Sequence, residues 1–276
     1  MKSIPFTKMS GTGNDFIIID NRERLVENDG LTGFIRNICR RKMSVGADGL
    51  ILIESSDKAD FRWRFFNSDG SLAEMCGNGA RCAARFAYLN GIAGENVSFE
   101  TEAGIINGQV KGNGAKVKIP DPTDLRLDYT IELERGPLTV SSVNTGVPHV
   151  VVTEDSVEEV DVFGLGREIR YHEAFAPAGT NVNFISPQKP GQLAIRTYER
   201  GVEDETLACG TGSIASALIA SCKKTNWTSP ISLITRSEEL LTIHFRESNR
   251  VFTDVYLEGD ARMIYTAELR EDAWRR

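Results

Sequence analysis

One short turn occurs twice in this chain, and it limits the folds open to it. Residues 75–80 read Met75-Cys76-Gly77-Asn78-Gly79-Ala80, and residues 208–213 read Ala208-Cys209-Gly210-Thr211-Gly212-Ser213. Small and apolar residues at helical spacing follow each copy: Cys82, Ala83, Phe86 and Ala87 after the first, Ile214, Ala217 and Leu218 after the second. The cysteines stand 133 positions apart (76 to 209), about half of the 276 residues. Repetition at half-length predicts two similar domains with pseudo-twofold symmetry. Pro120-Asp121-Pro122-Thr123-Asp124 is the linker candidate, because its two prolines and three polar residues cannot continue a strand. Domains over 1–123 and 124–263 are the expectation.

Between these points, short apolar or alternating runs predict strands. They include 16–20, 50–54, 61–66, 97–100 and 116–119, then 138–143, 150–153, 182–185, 194–198, 232–235, 240–245 and 252–257. Helical spacing is rarer, at 33–41, 80–89, 157–168 and 213–223. Many short strands with few helices predict an α+β protein on strongly curved sheets, too irregular for a doubly wound fold.

A cysteine followed by Gly-x-Gly at a helix start has a specific chemistry. The glycines allow a tight turn and close approach of a ligand. The first-turn amides lack intrahelical partners and can grip a carboxylate without a cationic side chain. The same field favours thiolate over thiol, drawing the cysteine pKa down from about 8.5. Two such cysteines on opposite faces of one Cα form a proton relay: one thiolate removes the proton, and the other thiol supplies one. Each well-aimed amide on the developing enolate-like carboxylate is worth roughly 2.7–4 kcal/mol. Two helix ends therefore supply on the order of 10 kcal/mol, without an electron-sink cofactor.

Composition removes other classes. A net charge of −7 argues against nucleic acid or an anionic membrane as partner. No run reaches about 18 apolar residues, so a membrane span is not predicted. The N-terminus meets Lys8 and the polar stretch Ser10–Asp15 at once, unlike a secretion signal. Five scattered cysteines fit a reducing cytoplasm, and Cys39, Cys82 and Cys222 read as packing residues. No C-x-x-C occurs and no histidine neighbours a cysteine, so no metal site is expected. Neither cysteine turn continues into Gly-Lys-Ser/Thr, and Gly11-Thr12-Gly13 lacks the third glycine of a dinucleotide fingerprint.

Further motifs surround the two cysteines: Lys8-Met9-Ser10-Gly11-Thr12-Gly13-Asn14-Asp15-Phe16, Val45-Gly46-Ala47-Asp48-Gly49 and Phe66-Asn67-Ser68-Asp69-Gly70-Ser71. Gly146-Val147-Pro148-His149, Asn181-Val182-Asn183-Phe184 and Tyr198-Glu199-Arg200-Gly201 follow in order. Together with the cysteine turns, these make the chain resemble the diaminopimelate epimerase family over nearly its whole length. The resemblance implies a homodimer of two-domain subunits. Each domain would be a curved β-sheet or barrel around a central helix, with the active site between the domains and residues 264–276 completing the first. It implies interconversion of LL- and meso-diaminopimelate without pyridoxal phosphate or metal, on the route to lysine and peptidoglycan.

By that resemblance Cys76 and Cys209 are the base and acid. The amides of Gly77, Asn78, Gly210 and Thr211 hold the reacting carboxylate, and Asn67 and Glu199 engage the reacting amino group. Asn14, Asn181 and Arg200 read the distal end of the substrate, a role that suits the planar fork of arginine and the donor–acceptor pair of asparagine. His149 and Glu199 tune the cysteines, and Tyr265 belongs to the dimer interface. By itself a Glu-Arg pair would read as a surface ion pair; its place ten residues before Cys209 gives it the binding role. Two positions depart from the common family pattern. Val147 stands where many members carry a distal-end Asn, with Asn144 as a substitute, and Gly49 stands where many carry Gln. The rival enzyme is a two-cysteine racemase of proline, hydroxyproline or broader specificity. A thiol redox protein and a noncatalytic amino-acid binding module are the readings from other classes.

Overall fold

The computed structural model describes residues 3–73, 75–223 and 227–275. The chain forms two compact units, Met1–Val117 with Gly259–Arg276, and Lys118–Glu258. The first contains β1 (Ile4–Gly11), β2 (Asn14–Asp20), α1 (Leu31–Ile38), β3 (Gly49–Glu54), β4 (Phe61–Asn67), β5 (Leu72–Ala73), α2 (Gly77–Leu89), β6 (Asn96–Thr101), β7 (Gly104–Lys111) and β8 (Gly114–Lys118). The second contains β9 (Thr123–Leu133), β10 (Gly136–Asn144), β11 (Pro148–Thr153), α3 (Val162–Arg170), β12 (Asn181–Lys189), β13 (Gln192–Glu199), β14 (Asp204–Thr206), α4 (Gly210–Lys223), β15 (Ile231–Ile234), β16 (Leu240–Ser248) and β17 (Val251–Asp260). The last strand, β18 (Arg262–Leu269), pairs antiparallel with β1 and so belongs to the first unit.

The two units repeat one pattern of pairing. β1–β2 is antiparallel, β2–β3 parallel, β3–β4 and β4–β5 antiparallel, β4–β6 parallel and β6–β7 antiparallel. β10–β11, β11–β12, β12–β13, β13–β14, β13–β15 and β15–β16 run in the same order of senses. β18 against β1 corresponds to β9 against β10. Each ninth strand of the sequence repeat thus completes the unit built mainly from the other half.

Each unit has a helix inside and a helix outside its sheet. The residues of α4 from Gly212 to Ser221 are all buried, and α2 buries Asn78 to Ala84 without a break. A helix buried on nearly every side is small and apolar over most of its surface, which explains the Gly-Ala-Ser-Cys compositions; Asn78 and Arg81 of α2 are buried polar exceptions, each hydrogen-bonded. α2 packs on β1, β2, β3, β6 and β7, and α4 on β10, β11, β12, β13, β15 and β16. Outside, α1 buries Leu31, Ile35 and Ile38 against Ile17, Ile19, Leu50 and Leu52. In the second unit α3 buries Val162, Leu165 and Ile169 against Val150, Val152, Val182 and Phe184. Strands covered on both faces read as continuous apolar runs, as Leu50 to Ile53 does. The α+β class and the curved-sheet-around-a-helix architecture expected from the sequence are the ones found.

Several elements differ from expectation. β1 is interrupted in sequence by Pro5 and Lys8, yet forms because Lys8 is buried, donating from Nζ to the Gly46 carbonyl and pairing with Asp15 at 2.8 Å. β18 has no apolar period, since residues 262–268 are all exposed. The linker is shorter than expected: β9 already begins at Thr123, with Asp124 at φ 57°. The helix expected over 157–168 is a single 3-10 turn, Val157–Glu159, followed by α3. The restart is made by Asp161, whose Oδ1 accepts the Gly164 N–H at 2.9 Å.

Candidate active site

Cys76 and Cys209 have the same local geometry. Cys76 caps α2, its Sγ accepting the Gly79 N–H at 3.4 Å while its carbonyl accepts from Ala80 at 2.8 Å. Cys209 Sγ accepts the Gly212 N–H at 3.4 Å, and its carbonyl accepts from Ser213 at 2.9 Å. The intrahelical ladders therefore start at Ala80 and Ser213. The amides of Gly77, Asn78, Gly210 and Thr211 lie in the first turns, ahead of any i−4 partner. The helix field there favours the anionic form of each sulfur. The Thr211 hydroxyl stands 3.5 Å from Cys209 Sγ.

The other cysteines are different. Burial pushes the Cys39 and Cys82 thiols up to about 12 and raises that of Cys222, so all three stay protonated near neutrality and serve as packing.

In the first unit, Asn14 and Asn78 come together. Nδ2 of Asn78 donates to Oδ1 of Asn14 at 2.6 Å, and Nδ2 of Asn14 donates to Asp48 at 3.1 Å. Asp48 is held by the Asp15 amide at 3.2 Å and by Arg41 at 2.8 Å. Burial pushes the Asp15 carboxyl up, but bonds from Arg41 and Lys8 outweigh it and hold Asp15 below the usual carboxylate range. Arg81, fully buried, ties Thr12 Oγ1 at 2.7 Å to the Gly77 carbonyl at 3.4 Å. Asn67 ends β4 on the surface, with Nδ2 donating to Ser71 Oγ at 3.0 Å. Tyr265 lies on exposed β18, its ring edge-on to Phe6 at 6.0 Å.

In the second unit, Asn181, Glu199 and Arg200 are adjacent. Asn181 is buried and bridges two strand ends, donating to the Pro148 carbonyl at 3.1 Å and accepting the Arg200 N–H at 2.8 Å. The Arg200 guanidinium donates to the Ala178 carbonyl at 3.1 Å. Glu199 ends β13, the place that Asn67 holds on β4. His149 is wholly buried; burial, assisted by the charge of Arg200, lowers its pKa to about 3. Thr145, in the loop before Pro148, donates to the Thr211 carbonyl at 3.0 Å. Asn144 Oδ1 accepts the Gly146 N–H at 3.0 Å within that loop.

Asp48, Arg41, Arg81, Thr145, Asn183 and Thr197 carried no role in the sequence reading. Asn183 had a visible signal, a polar residue two positions after Asn181 and hence on the same face of a strand whose neighbours are apolar. Among the described residues no group of three or more His, Cys, Asp or Glu side chains is placed to hold a metal ion.

A family model for diaminopimelate epimerase matches residues 6–123 and 141–264, a span that holds both cysteine turns. The chain belongs to the diaminopimelate epimerase family. A diaminopimelate epimerase of Aquifex aeolicus is 47% identical, with 97% of this chain and 98% of that protein covered. Among solved structures, a phenazine biosynthesis protein of the PhzF family from Bacillus anthracis superposes with a TM-score of 0.76 at 16% identity, covering 98% of this chain and 100% of that one. A probable proline racemase from Agrobacterium radiobacter K84 gives 0.70 at 13% identity, covering 99% and 94%. At such identities the last two show a shared fold. As a member of the diaminopimelate epimerase family the chain is an isomerase. Among its described residues, no helix is long and apolar enough to cross a membrane.

Proposed function

We propose that this enzyme interconverts LL- and meso-2,6-diaminopimelate by cofactor-independent Cα proton transfer, with Cys76 and Cys209 as base and acid. The observation that carries the reading is the matched capping geometry, in which each sulfur accepts the i+3 amide at 3.4 Å at the start of a buried helix. The relatives named diaminopimelate epimerase support the substrate. One cysteine, as thiolate, takes the proton from one face of Cα, and the other delivers a proton to the opposite face. The roles exchange for the other stereoisomer. Electrons pushed from the breaking C–H bond settle on the carboxylate, where the amides of Gly77, Asn78, Gly210 and Thr211 stabilise the added charge.

In this reading Asn67 and Glu199 receive the reacting ammonium, and Asn14, Asn181 and Arg200 serve the distal end. His149 and Glu199 tune the sulfurs. The committed bonds of Asn181 make it the residue that orients the Arg200 backbone. The two domains expected at 1–123 with 264–276, and at 124–263, are the halves of this enzyme. Lysine and peptidoglycan precursor synthesis in the cytoplasm is its setting. A homodimer fits the exposed Met263, Ile264 and Tyr265 on β18, since a strand so exposed and apolar is normally covered.

The deciding experiment incubates the enzyme with LL-diaminopimelate in deuterium oxide. Deuterium at Cα together with the meso product supports the reading. A binding module would give neither, and faster turnover of proline isomers than of diaminopimelate would favour the racemase alternative.

A further inference from the structure

Equivalent positions in the two units carry opposite chemistry. Parallel pairing sets Phe16 against Gly49 and Ile18 against Ile51 in one unit, and His149 against Asn181 and Val151 against Asn183 in the other. Antiparallel pairing adds Phe65 opposite Ile51, and Thr197 opposite Asn183. Phe16, Ile51 and Phe65 are thus replaced by His149, Asn183 and Thr197, all buried. Burying three polar side chains where three apolar ones suffice costs free energy unless each is bonded.

The bonds of Asn183 determine the state of its neighbour. Nδ2 of Asn183 lies 2.9 Å from the Val150 carbonyl, which can only accept, so the amide orientation follows from chemistry. Its second hydrogen meets Nδ1 of His149 at 3.1 Å, and Oδ1 accepts from the Thr197 hydroxyl at 3.0 Å. Nδ1 of His149 must then present its lone pair, and the imidazole proton resides on Nε2. That Nε2 is buried with no hydrogen-bond partner among the described residues. The ring's low pKa, with Arg200 the charged group that acts on it, agrees with the neutral form. On its other side Asn183 touches the first turn of α4, where Gly212 donates to Cys209 Sγ.

We propose that Asn183 is a positioning residue that holds His149 as the neutral Nε2–H tautomer, so that His149 serves the reaction as a hydrogen-bond donor and never as a cation or base. The proposal rests on the epimerase reading and deepens it. An imidazolium beside the polar set behind Cys209 would favour the thiolate there permanently. A neutral donor supports an anion when one forms, and leaves the two sulfurs free to exchange roles.

The test is 1H–15N spectroscopy of the imidazole rings in the intact enzyme, where only His149, His172 and His244 contribute and His149→Gln identifies the signal. The expected result is an Nε2–H tautomer that does not titrate between about pH 5.5 and 9. An Nδ1–H tautomer, or titration in that range, overturns the proposal. Asn183→Leu is expected to lose the single-tautomer signature and to lower kcat roughly 100-fold with little change in KM. Wild-type kcat in that variant would overturn the positioning role. His149→Gln, which keeps a neutral N–H near the Nε2 position, should retain at least about tenfold more activity than His149→Leu; equal loss overturns the donor role. The spectra need no substrate, so they decide the tautomer even if deuterium exchange were to fail and remove the epimerase reading.

Discussion

A methyl group on Gly212 would stand 2.1 Å from Oδ1 of Asn183, so the first turn of α4 meets β12 where only glycine fits. The equivalent Gly79 of α2 meets Ile51 and Trp63 at an ordinary 3.4 Å. Gly212→Ala must displace an amide bonded to His149, Val150 and Thr197. We expect it to cost about 1–3 kcal/mol in urea denaturation, with a large loss of kcat. Gly79→Ala should be close to wild type in urea denaturation. Equal effects of the two substitutions would contradict the close approach at Asn183.

Gly49 has a comparable restriction with a different consequence. A Cβ there would lie 2.5 Å from the Phe66 carbonyl oxygen and 2.6 Å from the Phe65 ring. The glutamine common in the family at this position has no room on this backbone. Gly49→Gln should therefore lower stability by about 1–3 kcal/mol and fail to improve KM for diaminopimelate. A tighter KM at unchanged thermal midpoint would refute this.

The pH dependence of stability should carry the signature of His149. Its pKa falls from an ordinary 6.5 in the unfolded chain to about 3 in the fold. Above 6.5 both states are neutral and the ring contributes nothing. Below 6.5 the unfolded chain binds a proton that the folded ring refuses, so stability falls with pH until about 3. The expected loss is about 1.4 kcal/mol per pH unit, or about 2 kcal/mol at pH 5. Comparing urea midpoints of wild type and His149→Gln at pH 7.5 and 5 isolates this from the carboxylates. Parallel losses in the two proteins would show that His149 titrates normally.

Four of the five cysteines should separate by function. Cys76→Ala and Cys209→Ala are expected to lower epimerisation at least about 1000-fold with circular dichroism unchanged. Cys39→Ala and Cys82→Ala, whose buried thiols are pushed up to about 12, should keep near-wild-type kcat and lose only about 1 kcal/mol of stability. Chiral chromatography of the products checks the rates. Residual activity above one-tenth of wild type in Cys76→Ala or Cys209→Ala would sink the two-base mechanism.

What could be read from the chain alone was whatever local spacing encodes. Alternating runs such as Phe61–Phe66 marked strands, Cys-Gly-x-Gly marked the starts of α2 and α4, and half-chain repetition marked two units. Those signals are strong because burial on one or both faces imposes a period on neighbouring residues. Tertiary structure alone decided the rest. β18 joins β1 through pairs such as Ile4 with Leu269, a contact no local window contains. β18, lacking a clean apolar period, is a strand because a partner edge awaits it. The contrast between Phe16, Ile51 and Phe65 in one unit and His149, Asn183 and Thr197 in the other also emerges only from register. A single asparagine reads alike on a surface loop and in a core. What Asn183 does depends on which acceptors the neighbouring strands bring within hydrogen-bonding distance, and that is set by packing.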